Sequence, residues 1–80
     1  MSHADAQEVR DFLLQSNEQY RQLAERHHEL DHRLHELSDK QYLSAAERIE
    51  AINLKKRKLA LKDQMELIAR EYARQHSQAS

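Results

Sequence analysis

The sequence predicts an all-α protein, a single domain folded as an antiparallel two-helix hairpin of the coiled-coil kind. The 80 residues include no Gly, Pro or Cys, which removes the usual material of tight turns, phosphate-binding loops and disulfides. Most of the chain is Ala, Leu, Glu, Gln, Lys and Arg, the strong helix formers. An apolar heptad that stops before a second helix-start signal divides the chain in two.

The first predicted helix covers residues from about 5 to 38. Eight of its ten heptad positions carry a nonpolar or aromatic side chain, which is typical of a coiled-coil seam. Asp5 and Glu8 have the spacing of a starting cap. The heptad positions are Ala6, Val9, Leu13, Ser16, Tyr20, Leu23, His27, Leu30, Leu34 and Leu37.

A loop at about 39–43 is predicted because the heptad register fails after Leu37, where polar residues take the core positions. Ser44 and Glu47 then have the spacing of a capping box, in which each residue satisfies the other's backbone amide. The short connection makes the two helices antiparallel neighbours.

The second helix is predicted at about 44–75, with a frayed polar tail at 76–80. The rival interpretation is one continuous helix, which the lost register and the second cap both disfavour. A Ser44→Ala change separates the two, since loss of a cap costs about 1 kcal/mol.

The second helix carries two apolar stripes on roughly opposite sides, at about 100° per residue. One contains Ala45, Ile49, Ile52, Leu59 and Leu67, interrupted by Lys56 and Asp63. A hairpin can cover one stripe, and we expect the other to contact a partner. The alternatives are self-association into a four-helix bundle, a different protein partner, or a monomer that twists to cover both. The predicted contact stripe consists of Leu54, Leu61, Met65, Ile68 and Tyr72, with Lys55 and Lys62 flanking the hairpin seam.

The charge balance argues against general polyanion binding, because the formal net charge is only −1. Residues 1–40 carry five Lys/Arg and nine Asp/Glu, whereas residues 41–80 carry eight and five, so the halves are suited to pairing. The cations at 55–58 point around the whole helix. Only Arg48, Lys55 and Lys62 nearly align, which predicts at most a weak, salt-sensitive nucleic-acid site and leaves a nucleic-acid-associated regulator as the alternative function.

Two side chains with polar groups, Tyr20 and His27, lie within the first helix's seam. In an antiparallel hairpin His27 is expected near Lys56, and Tyr20 near Asp63. Buried polar groups of this kind set helix register. A hairpin offers no pocket that excludes water, so the sequence predicts neither an enzyme nor a cofactor.

Three further histidines, His28, His32 and His35, share one face of the first helix with Glu25. Imidazoles one turn apart can bind zinc, nickel or copper. This face lies far from the seam and has no surrounding shell to orient the rings, so we expect no physiological metal site.

Membrane insertion is not expected. No apolar run approaches the ~20 residues of a membrane span, and no signal-peptide core follows Met1, which predicts a cytoplasmic protein.

The segments YRQLAERHHELDHRLHEL and LKKRKLALKD resemble the YdcH-like small bacterial proteins, a family of unknown function. The resemblance implies a helical hairpin from a small cytoplasmic bacterial protein and brings no activity. It also implies that Lys55 and Lys62 dock an acidic partner or a nucleic acid. The matching residues are Tyr20, Leu23, His27, Glu29, Leu30, Asp31, Leu54, Lys55, Lys56, Lys58, Leu59, Leu61, Lys62 and Asp63.

Overall fold

The computed structural model describes residues 6–77, which form three helices and, within that range, no strand. Helix α1 spans Ala6–Ser16, α2 spans Glu18–Ser38 and α3 spans Ala45–Ser77. The all-α prediction is therefore confirmed, but the two-helix architecture is wrong by one helix. The described part of the chain is a rod of 54 × 20 × 17 Å, and α3 with its 33 residues runs along nearly its whole length.

The predicted first helix divides at Asn17. This residue has an extended backbone, with φ −117° and ψ 110°, and its side-chain oxygen accepts a hydrogen bond of 2.8 Å from the Tyr20 amide. Asn is among the strongest N-cap residues, so Asn17 ends α1 and starts α2 in one step. The heptad keeps its phase across this break, which is why periodicity alone indicated one helix. The predicted cap at Asp5 lies outside the described residues.

The link between α2 and α3 folds as predicted. The Glu47 amide donates to the Ser44 hydroxyl at 3.1 Å, and the Ser44 amide donates to the Glu47 carboxylate at 2.9 Å. This reciprocal capping box starts α3 one residue after Ser44 and excludes a continuous helix. At the other end α3 continues to Ser77, so the first two residues of the predicted tail are helical; 78–80 lie outside the described residues.

The helices α2 and α3 form the most extensive contact and run antiparallel. Three ion pairs shown within residues 6–77 join α2 and the following loop to α3. Residues later in α2 and the loop pair with residues earlier in α3, as expected of antiparallel helices. Arg33 and Glu50 form a bidentate pair of 2.8 and 3.0 Å. The other two pairs are Lys58 with Asp31 and Lys40 with Glu47.

The core is thin, and its largest cluster lies where all three helices meet. Val9, Leu13 and Tyr20 are buried there, with Tyr20 and Leu13 each 2% exposed. Met65, Ile68, Ala69 and Tyr72 of α3 cover this cluster. The remaining buried side chains are Leu23, Leu37 and Leu54.

Candidate interaction surface on helix α3

The inner row of α3 consists of Leu54, Leu61, Met65, Ile68 and Tyr72, the stripe predicted to meet a partner. The structure corrects this assignment, because the row faces the chain's own α1 and α2. Leu54 is 9% exposed, and the other four are half-buried. Tyr72 also stacks on Phe12 of α1, with ring centroids 5.1 Å apart.

The outer row of α3 is the stripe that was expected to lie in the seam, and it is exposed instead. Its large apolar residues are 55–61% exposed, on the side of the helix opposite the inner row. The sequence analysis identified both rows correctly, but it assigned the seam to the outer row and the exposed surface to the inner row. The outer row consists of Ile49, Ile52, Leu59 and Leu67.

The charged residues within the two rows explain which row is covered. Lys58 lies within the inner row, where its long stem stays half-buried while its ammonium pairs with Asp31. The outer row contains Lys56 and Asp63, and both are exposed. The short Asp63 side chain cannot reach out of a seam as a lysine can, so burying it would require a partner within hydrogen-bond distance.

The predicted polar pairs inside the seam do not form. Tyr20 is buried as expected, but Asp63 is exposed and not beside it; His27 is half-buried and does not face the exposed Lys56. Burial lowers the pKa of His27, and the positive charges of Lys58, Lys62 and His28 lower it further, against the opposing effect of Asp31.

The segment 47–62 of α3 separates its charges by sign. Its two acids, Glu47 and Glu50, turn towards the rest of the chain, where Lys40 and Arg33 engage them. The hydrogen bonds from Lys40 and the Ser44 amide lower the pKa of Glu47 to about 2. The bond from Arg33 likewise lowers the pKa of Glu50.

Because both acids face inward, every exposed charged side chain of residues 47–62 is basic. None of these cations forms a salt bridge with a carboxylate of residues 6–77. The sequence-predicted cations Arg48, Lys55 and Lys62 are among them, and they lie at the border between the two rows. We call this set the outer cations: Arg48, Lys55, Lys56, Arg57 and Lys62.

The histidine face of α2 is exposed, as predicted. His28, His32 and His35 border a shallow surface depression with Asp31 and Glu36. The His32 Nε2 atom lies 3.6 Å from the Glu36 carboxylate, and Asp31 is already paired with Lys58. Among the described residues, no group of three or more His, Cys, Asp or Glu has an arrangement suited to a metal ion.

Two exposed aromatic side chains escaped the sequence reasoning. Tyr42, in the loop before α3, is 86% exposed, and Phe12 of α1 is 48% exposed although it stacks on Tyr72. Near Phe12, Leu13, Leu67 and Tyr72 border a shallow open groove between α1 and α3.

None of the three helices in residues 6–77 has both the length and the apolar character needed to cross a bilayer. Fold and surface together define a small all-helical protein with one row of α3 uncovered.

The family is identified by comparison. The profile described as "Protein of unknown function (DUF465)" matches residues 21–69, more than half of the chain, and the chain belongs to this family. The match covers most of α2 and α3, including the outer row and the outer cations. Searches of curated proteins and of solved structures each found no match.

Proposed function

We propose that the chain is a small non-enzymatic interaction module that binds protein through the outer row of α3. The observation that carries the proposal is the exposure of Ile49, Ile52, Leu59 and Leu67, at 55–61%, along one side of a 33-residue helix. Scattered apolar residues need no explanation, but an aligned row on a helix typically marks an interface.

The inner face of α3 supports this interpretation, because it shows how such a row is normally covered. There a helix lies antiparallel, fills the row with apolar side chains and supplies an acid to the lysine within it. The outer row has the same helical spacing, but no helix within residues 6–77 packs against it. Association with a further helix, as in a coiled coil or a bundle, would complete it.

We also propose that the chain is one of the YdcH-like small bacterial proteins, which its two helix segments resemble, and that it is cytoplasmic, as this resemblance implies. The family itself is described as one of unknown function, so it adds no reaction or substrate.

The experiment replaces Ile52 and Leu59 together with Gln. Because both side chains are exposed, the change should alter the free energy of unfolding by no more than about 0.5 kcal/mol while it removes association. Solution mass by sedimentation at a low and a high protein concentration detects self-association. Binding of synthetic amphipathic helical peptides to the chain detects a different partner, and the variant should lose this binding.

A matched control replaces Leu14 and Tyr42, which are exposed but outside the outer row, with Gln. This control should keep every association that the wild type shows. An outer-row variant with unchanged mass and unchanged peptide binding would contradict the proposal.

The outer cations favour one second candidate, a nucleic-acid-associated regulator that uses Arg48, Lys55 and Lys62. Three phosphate contacts predict a dependence of log K on log salt of about −2.7. An electrophoretic shift with a short DNA duplex at two salt concentrations tests this function. Absence of a shift at low salt would remove it.

A further inference from the structure

We infer that the partner of the outer row is an acidic amphipathic helix of another protein rather than a second copy of this chain. This inference rests on the proposed function and adds the chemistry of the partner. It is carried by the sorting of charges along residues 47–62, where the exposed charges are all basic and the two acids face inward.

The outer cations surround the apolar row on several sides. Lys56 lies within it, between Ile52 and Leu59, while Arg48 and Lys55 lie along its edge. All are exposed and have no carboxylate partner within residues 6–77. A helix that covers Ile52 and Leu59 must therefore place its flanking residues against cations, and carboxylates at these positions form ion pairs.

A second copy does not meet this requirement. Two α3 helices joined through the outer-row residues of this segment, in parallel or in an antiparallel pair centred on it, would bring the two basic segments together. Like charges across an interface oppose association and exclude wrong partners. Within this segment the two acids, Glu47 and Glu50, are already held by Lys40 and Arg33, and the exposed acids Asp63 and Glu66 lie beyond it.

A membrane surface and a nucleic acid fit less well than a helix. The acid Asp63 lies in line with the row between Leu59 and Leu67, where insertion among lipid chains would desolvate it. A nucleic acid would neutralise the cations but leave Ile49, Ile52 and Leu59 uncovered. A partner helix satisfies both features, with acids facing Arg48–Lys62 and a cation facing Asp63.

The test uses two synthetic helical peptides with Leu at the heptad core positions. One carries Glu at the flanking positions and the other carries Lys. The full-length chain should bind the acidic peptide at least about tenfold more tightly than the basic one, which corresponds to about 1.4 kcal/mol. Fluorescence anisotropy measures both affinities at low and at physiological salt, and the difference should shrink as salt rises.

Two charge-reversed variants locate the binding. Lys55→Glu with Lys62→Glu should weaken the acidic peptide by about tenfold. The control, Arg10→Glu with Arg26→Glu, makes the same change in net charge at exposed positions of α1 and α2 and should change the affinity less than about twofold. Circular dichroism checks that both variants stay helical. Equal losses in the two variants would overturn the inference.

Further arms separate the failure of the inference from the failure of the proposed function. If neither peptide binds, but the chain's mass rises with concentration and the Ile52→Gln, Leu59→Gln variant does not show this rise, the partner is a second copy and only the inference is wrong. Binding of both peptides with equal affinity also overturns only the acidic chemistry.

The last arms use a short DNA duplex and vesicles of phosphatidylcholine with phosphatidylserine. Binding to either one, in place of the acidic peptide, overturns the inference in favour of a nucleic acid or an anionic lipid surface. A chain that binds no probe and stays monomeric at every concentration contradicts the inference and the proposed function together.

Discussion

The two faces of α3 carry similar apolar rows, yet residues 6–77 cover only the inner one. The inner row contacts α1 and α2, and its lysine, Lys58, pairs with Asp31. The outer row is exposed, and its charged residues, Lys56 and Asp63, have no such neighbour. The two rows differ most in their charged residues. The inner lysine is satisfied by an acid of α2, whereas covering the outer row with the same chain would bury Asp63 without a partner.

The difference also separates the acids and bases of α3. Each acid at the start of the helix lies on the inner side and holds the hairpin through Lys40 or Arg33, whereas the outer cations are exposed and pair with no carboxylate of residues 6–77. The contacts that stabilise the hairpin and the surface proposed for interaction therefore lie on opposite sides of one helix. Variants on the two sides should have separable effects.

The largest expected effect comes from a pair of leucines on opposite faces. Leu54→Ala removes a 9%-exposed side chain and should lower the free energy of unfolding by about 2–3 kcal/mol, near the lower end for buried leucines because the core is thin. Leu59→Ala removes a side chain that is 58% exposed and should cost no more than about 0.5 kcal/mol. Urea unfolding of the isolated protein measures both. Equal losses would mean that the outer row is not free.

A smaller effect is expected at the two helix caps. Asn17→Ala and Ser44→Ala each remove a side-chain acceptor from a helix N-terminus and should cost about 1 kcal/mol. The matched control is Asn53→Ala, at an exposed interior position of α3, which should be neutral or slightly stabilising because Ala is the better helix former. A cost at Asn53 as large as at Asn17 would show that Asn17 does not act as a cap.

The smallest effect concerns pH. Because the pKa of His27 in the folded chain lies below its ordinary value of 6.5, the unfolded chain binds more protons just below that value. The contribution of His27 to stability is therefore complete above pH 6.5 and is lost as pH falls through the folded-state pKa. The melting temperature should fall as the pH is lowered from about 7.5 to about 5.5.

A His27→Leu variant tests the source of this dependence. It should melt at a higher temperature and lose part of the fall, since Leu packs into the seam without a charge. His32→Leu, on the exposed side of α2, serves as the control and should keep the wild-type response. If His27→Leu retains the whole response, another group is responsible.

Local patterns in the sequence determined the helical content, the seam of the first forty residues and the start of α3. The capping box depends only on the spacing of Ser44 and Glu47, and the seam depends on a repeat that matches the helix period. The two rows of α3 follow from the same repeat. Asn is a preferred N-cap residue, but the heptad runs through Asn17 without a change of phase, so periodicity alone indicated one helix.

Only the tertiary structure decided which row of α3 is covered, and with it which apolar residues stay exposed. The choice depends on groups far apart in the sequence: Asp31 must lie within reach of Lys58, and α1 must bring Phe12 to Tyr72. Periodicity records the position of a side chain around its own helix but not the charge that a neighbouring helix presents to it. Whether a charged residue within a row can be covered therefore depends on neighbours that periodicity does not show.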